Sequence, residues 1–249
     1  VKAGDRVQIV TAKDAEGLDA MRHSCAHVMA EAICRLWPQT RLVYGPTVED
    51  GFYYDIDLDE AIRPEDFGKI EKKMAEIAEK KLPFVRRELS KEEAIKHVAG
   101  NKYKIDNISR AQGDTLSFYS HGQGFEDLCR GPHVPSTDRI GSFKVMSVAG
   151  AYWHGDPTQK MLQRVYGTAW RNKKELEEYL QMLEEAKKRD HRVIGKQLDL
   201  FSFHDEGPGF AFFHPKGMVI WNQVTDFWRS VHKKYDYQEI KTPIVLNQE

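Results

Sequence analysis

The sequence predicts an α+β protein: mixed helices and largely antiparallel strands, then a long charged helix, then the opening of a separate α/β unit. Three observations carry that reading. Apolar residues recur at helical spacing in several segments, and short β-rich runs bounded by Gly-Pro and Asp-Gly lie between them. From Asn172 the composition turns to opposed charges with few breakers, before aromatic, Gly/Pro-rich sequence resumes.

The chain starts at Val1 without a charged-then-apolar leader pattern, and Val7, Ile9 and Thr11 alternate with polar residues as a strand would. A strand without neighbours is unstable, so residues 1–14 are expected to be a remnant of a preceding domain. A helix is predicted from near Asp19, a good cap, with Met21, Cys25, Val28, Met29, Ile33 and Leu36 on its apolar positions until Pro38. Strands and turns follow in "RLVYGPTVEDGFYYDIDL". A second, surface helix starts at Pro64 and carries Phe67, Ile70, Met74 and Ile77. Short strands fill Phe84 to Val148, interrupted by the helical "SKEEAIKHV", in which Ser90 and Glu93 resemble a capping box. Residues 172–197 read as one long connecting helix. Beyond it come a helix from Met218 to about Tyr235 and a strand "QEIKTPIVL".

Charge and composition exclude several classes. Lys and Arg number 37 against 38 Asp and Glu, a net charge of -1, so an anionic partner must be met by local patches and a uniformly basic nucleic-acid binder is ruled out. The runs "KKLPFVRR", "KKRDHR" and "HKK" could grip phosphates or simply be solvated faces. No uncharged apolar run approaches the roughly 18 residues of a membrane span. Cys25, Cys34 and Cys129 are too few for a disulfide framework. A soluble protein of a reducing cytoplasm is the natural expectation.

Two short patterns carry chemistry. His23 and His27 lie one helical turn apart, which puts two imidazoles on one face for metal binding or acid/base work, although such pairs also occur as core or solvated residues. No Glu adjoins His23, so the zinc-peptidase pattern fails. In Cys129-Arg-Gly-Pro-His133, Gly131 and Pro132 preclude a regular helix and leave a loop able to aim a thiol and an imidazole at one spot, or an ordinary turn. Together the two pairs could converge on one tetrahedral site.

The segments "RHSCAHVMAEAICRLWP", "GFYYDIDL", "DLCRGPHVPST", "AGAYWHGD", "MLQRVYGTAW" and "RDHRVIGKQLDLFSF" together resemble the threonyl-tRNA synthetase family over nearly the whole chain. The paired His and Cys/His motifs are shared with alanyl-tRNA editing proteins, but the long helix and "RDHRVIGKQLDLF" resemble the threonyl branch. The resemblance implies four parts: 1–14, the tail of a small ubiquitin-like amino-terminal domain; 15–171, an editing domain; 172–197, a linker helix; and 198–249, the truncated start of a class II catalytic domain. The last helix and the strand carrying Pro243 are similar to the first signature motif of class II synthetases, which sits at a dimer interface.

What the resemblance implies for function is editing. A site that accepts threonine cannot strongly reject serine, because one methyl is worth only about 1–3 kcal/mol. A second pocket that hydrolyses mischarged seryl-tRNA(Thr) supplies the rest. By this resemblance His23, His27, Cys129 and His133 line the pocket, and Asp127 contacts the amino group or orients a His. Lys104, with Lys102 as a rival, stabilises charge or holds a water, and Tyr54 lines the amino-acid end. Arg130 holds the loop or a tRNA phosphate, or forms a structural salt bridge. No metal or cofactor is expected for editing; ATP, magnesium and zinc belong to the full-length catalytic domain, whose ATP-binding and zinc-holding residues are not in this sequence. The implied partners are tRNA(Thr) with its seryl or threonyl ester and, for the full-length enzyme, a second copy in a homodimer, with no membrane. Two rivals are a free-standing zinc-dependent trans-editing hydrolase, against which the unit after Gln197 argues, and a non-catalytic tRNA-binding fragment, against which the set of four argues.

Overall fold

In the computed structural model, which describes residues 9–122 and 124–242, the first helix, α1 (Ala15–Leu36), begins four residues before Asp19. Asp14 holds the cap position and closes the preceding turn by accepting from the Thr11 amide at 2.7 Å and hydroxyl at 2.9 Å. The helix ends just ahead of Pro38, whose ring disfavours helical backbone before it. Val7 lies outside the described residues, and Ile9 to Thr11 form no strand, with Ile9 86% exposed.

Two units divide the chain, 1–179 and 180–249. In the first, β1 (Arg41–Tyr44), β2 (Thr47–Val48), β3 (Gly51–Asp57), β7 (Ser142–Tyr152) and β8 (Met161–Trp170) form an antiparallel sheet in the order β1-β3-β8-β7, with β2 also on β3. The helix α1 packs on β3, β8 and α2 (Phe67–Ala78). Its Met21, Cys25, Val28, Met29 and Ile33 meet Phe52 and Ile56 of β3, Val165 and Ala169 of β8, and Ile70, Met74 and Ile77 of α2. All are essentially solvent-free, and each large side chain contributes roughly 1.5–3 kcal/mol of transfer free energy. Burial extends to polar residues: Arg22, Ser24, His27 and Glu31 are also enclosed, so the middle of α1 is interior on every side.

A second antiparallel sheet has the order β4-β5-β6, from β4 (Phe84–Ser90), β5 (Thr115–His121) and β6 (Glu126–Leu128). Between β4 and β5 lies α3 (Lys91–His97), opened by the reciprocal Ser90/Glu93 capping box read from sequence. Next comes α4 (Lys102–Arg110), a helix where strands were expected. Its start is set by Asn101, whose carbonyl oxygen accepts from the Tyr103 and Lys104 amides. The amides of Asn101 and Asn107 donate to the carbonyls of Leu42 and Val43, and so dock α4 against β1 with Tyr103, Lys104 and Ile108 buried.

The predicted long connecting helix over 172–197 is two helices, α5 (Lys173–Lys188) and α6 (His191–Gln197). The break falls at Asp190, whose carboxylate caps the second helix by accepting from the Arg192 amide at 2.8 Å. Within the second unit a short hairpin, β9 (Phe201–Ser202) with β10 (Phe212–Phe213), precedes α7 (Pro215–Lys234). Leu200, Phe201, Phe213, Ile220, Trp221 and Val224 line an apolar hollow of about 340 Å³ there. The expected strand after Tyr235 is not formed at 238–242, and Pro243 and the residues after it lie outside the described set. Among the described residues no helix is long and apolar enough to cross a membrane.

Candidate active site

The site joins α1 to the loop after β6. Turn-spaced His23, His27 and Glu31 make a polar stripe on the helix, with Ser24 beside it. The loop leaves the second sheet still tied to it: the Cys129 amide donates to the Ser117 carbonyl at 3.0 Å, and the Ser117 hydroxyl donates to the Cys129 carbonyl at 2.6 Å. Gly131 sits at φ +75°, where a Cβ would collide with the Tyr119 hydroxyl, so glycine alone fits. Past it, the Val134 amide donates to the Ser24 hydroxyl at 3.0 Å and pins the loop to α1.

Hydrogen-bond bookkeeping fixes the tautomers. The Nδ1 of His23 is 3.2 Å from the Pro132 carbonyl, which can only accept, so Nδ1 carries the proton and Nε2 offers a lone pair to the Cys129 sulfur at 3.2 Å. The Ser24 hydroxyl gives its one proton to the Ala20 carbonyl at 2.8 Å, so it must accept from His133 Nδ1 at 3.0 Å. His133 Nε2 therefore also turns a lone pair towards Cys129 Sγ, at 3.3 Å. One thiol proton faces two acceptors. The backbone amide of Gly131 adds a donor to the sulfur at 3.2 Å.

Burial keeps these groups neutral. Desolvation lowers the pKa of His23 and lowers that of His27 much further, the latter with help from the neighbouring His23. Desolvation and the nearby His27 depress His133 strongly, and burial pushes the Cys129 thiol up to about 12. One donor atom from each of His23, His27, Cys129 and His133 lies within 4.8 Å of the others. That set fits a tetrahedral ion, whose ligand atoms would stand about 3.4 Å apart for zinc bonds of roughly 2.1 Å, after a small contraction. Bound there, an ion would supply Lewis acidity and depress the thiol pKa.

A second cluster faces the same cavity. The Lys104 ammonium lies 2.6 Å from Asp127 Oδ1 and donates to the Tyr54 hydroxyl at 3.2 Å, and Tyr54 donates to Asp127 Oδ2. All three are nearly inaccessible, at 5%, 4% and 1% exposure. Burial and the Asp127 charge raise the Tyr54 pKa well above its ordinary value, so its hydroxyl stays protonated. The cavity holds about 550 Å³ and is lined by His23, His27, Tyr54, Lys104, Asp127 and Cys129, with exposed Tyr44, Arg110 and Arg130 on its wall.

Seven of the eight residues singled out from sequence line this cavity, and His133 touches Cys129 beside it. Of the two roles expected for Asp127, a hydrogen bond to a histidine is not formed among the described residues; its carboxylate is engaged by Lys104 and Tyr54. Lys104 stands on a helix, not a strand; its rival Lys102 is exposed, over the Tyr103 ring at 4.9 Å. Arg130 is exposed and, among the described residues, forms no ion pair. Sequence reasoning passed over Ser24, Glu31 and His121; only Glu31, one turn beyond His27, extends a pattern visible in the sequence.

The sequence points to the class: residues 116–166, in the middle of the chain, match the family described as "Threonyl and Alanyl tRNA synthetase second additional domain". The relatives narrow it. Over 97% of its length the chain is 55% identical to a threonine-tRNA ligase of Desulfatibacillum aliphaticivorans, covering 38% of that protein. It is 52% identical over its whole length to one of Clostridium tetani, covering 39%, and 53% identical over 97% to one of Carboxydothermus hydrogenoformans, covering 38%. The chain is thus a relative of the threonine-tRNA ligases and spans a little over a third of their length.

Proposed function

We propose that the cavity is an editing site that hydrolyses the ester of mischarged seryl-tRNA(Thr). The observation that carries this is the convergence of a thiol and two imidazole lone pairs on one wall with the Lys104–Asp127–Tyr54 cluster on the same cavity. A neutral imidazole Nε2 takes a proton from water as the water oxygen attacks the ester carbonyl. The buried Lys104 ammonium stabilises the developing oxyanion. When the bond from carbonyl carbon to ribose oxygen breaks, the imidazolium returns its proton to that oxygen, leaving serine and a free tRNA end. Seryl is small against 550 Å³, and the remaining space takes the terminal nucleoside, with Arg130 available to phosphate.

On this reading residues 15–171 are the editing domain, 172–197 the linker and 198–249 the opening of a class II catalytic domain. The whole protein would charge tRNA(Thr) with threonine as a homodimer, using ATP, magnesium and a catalytic zinc outside this chain. Editing itself would need no metal. The four donors within 4.8 Å favour a second reading, a zinc-dependent hydrolase. One equivalent of zinc, with activity lost to chelator and restored by metal, would select it.

The test is deacylation of seryl- and threonyl-tRNA by this chain. Seryl ester should be cleaved faster, because a closely packed wall excludes the extra methyl. His23→Ala, or Cys129→Ala with His133→Ala, should lose at least about a hundredfold. Wild-type rates in those variants, or equal cleavage of both esters, would sink the proposal.

A further inference from the structure

His27 is 2% exposed, yet among the described residues its Nδ1 has no hydrogen-bond partner. A reactive imidazole usually has its second nitrogen tied to a group that fixes ring and tautomer. Here packing must do so. The rings around His27 close into a circuit: His27 edge-on to His133 (centroids 4.4 Å apart), His133 stacked on Phe84 (4.7 Å, 3°), Phe84 on His121 (4.9 Å), His121 on Phe125 (4.9 Å), and Phe125 edge-on to His27 (6.0 Å). His121 is the one histidine of this circuit outside the cluster at Cys129. It is wholly buried, and its Nε2 lies 2.6 Å from Glu31 Oε2, a close contact that departs from in-line hydrogen-bond geometry. Glu31 is itself 2% exposed and is held on its other oxygen by Arg35, one turn further along α1.

We propose that Glu31 and His121 are positioning residues for the imidazole cluster. The buried pair fixes the His121 ring, and Phe84 and Phe125, both packed on that ring, carry the constraint to His133 and His27. The same helix thus bears His27 and, one turn later, the residue that pins the far side of its surroundings. Stability alone gives little reason for such a pair, since apolar residues of equal volume often do as well or better. Orientation gives one, because proton transfer tolerates a ring error of only about 10–20°. The inference rests on the hydrolytic reading for what the positioned groups do, and its test separates the two.

Three variants serve: Glu31→Gln, His121→Asn, and the apolar double Glu31→Met/His121→Phe. For each, fold is checked by circular dichroism, seryl-tRNA deacylation is resolved into kcat and KM, and the histidine ring ¹⁵N signals are recorded by NMR. The double variant is expected to fold, to lose about tenfold or more in kcat with KM within about twofold of wild type, and to shift or broaden the His27 and His133 ring signals. A folded double variant with wild-type kcat and unchanged ring signals overturns the proposal, as does a double variant that cannot fold, which would make the pair structural. If the unmodified chain cleaves no seryl-tRNA, the hydrolytic reading fails, and the NMR signals still decide whether Glu31 and His121 orient the cluster.

Discussion

Removing Asp127 should cost the first unit more than removing Lys104, although the two form one pair. Both side chains are buried, at 4% and 6% exposure, with 2.6 Å between charged atoms, so solvent screening takes little away. Deleting one member of such a pair strands the other and costs roughly 3–5 kcal/mol. After Lys104→Met the Asp127 carboxylate keeps the Tyr54 hydroxyl and the Leu128 amide as donors, so the loss lies at the lower end. After Asp127→Leu the ammonium keeps, among the described residues, only the Tyr54 oxygen, so the loss lies at the upper end. For a unit of this size the range corresponds to a fall of roughly 6–20 °C in the melting midpoint. The double variant Lys104→Met/Asp127→Leu strands no charge and should recover most of that loss, while recovering none of the ester hydrolysis. Thermal melts at pH 7 on the four proteins decide it. An Asp127→Leu midpoint equal to wild type, or a double variant as unstable as the worse single, would show that the pair is not the buried unit described.

Three further outcomes follow from the same site. Because folding lowers the pKa of His23, His27 and His133 below the ordinary value near 6.5, the unfolded chain binds more protons on acidification. The melting midpoint should therefore fall as pH drops from 7 to 5, and a midpoint flat over that range would contradict the burial of these rings. Cys129, with its thiol raised to about 12, should react slowly with iodoacetamide at pH 7.5, and alkylation at the rate of a free cysteine would refute this environment. Gly131→Ala forces a side chain into left-handed backbone against Tyr119 and should cost about 1–3 kcal/mol by urea unfolding, with loss of deacylation; an unchanged midpoint would count against the loop geometry.

Periodicity made α1, α2 and α7 legible, because each presents an apolar stripe long enough to outweigh local noise. It placed the start of α1 late because Asp14 caps by closing a turn with Thr11, which no apolar spacing reports. The short helix α4 escaped because its stability comes from tertiary docking: two asparagine amides reach the β1 carbonyls, and neither partner is near it in sequence. The break at Asp190 hid in a run of good helix formers, where a cap and a helical residue look alike. At the site, His23, His27, Cys129 and His133 were visible as two pairs of identical spacing. The tautomers were not, since they hang on the Ser24 hydroxyl and the Pro132 carbonyl. Glu31 and His121 went unseen because their meaning depends on the end of β5 bringing His121 to α1.

The two halves of the histidine–cysteine cluster lie far apart along the chain, with His23 separated from Cys129 by 106 positions. During synthesis at about 5–20 residues per second, the first half therefore waits roughly 5–20 s for the second. In that interval α1 has emerged with a stripe of two imidazoles and a carboxylate and no interior to put them in, which suits a helix that is still in water. On the proposed reading hydrolytic capacity would not arise piecemeal, because neither half has the other's lone pairs. It would switch on in one event, when β6 joins its sheet and carries the loop onto the helix.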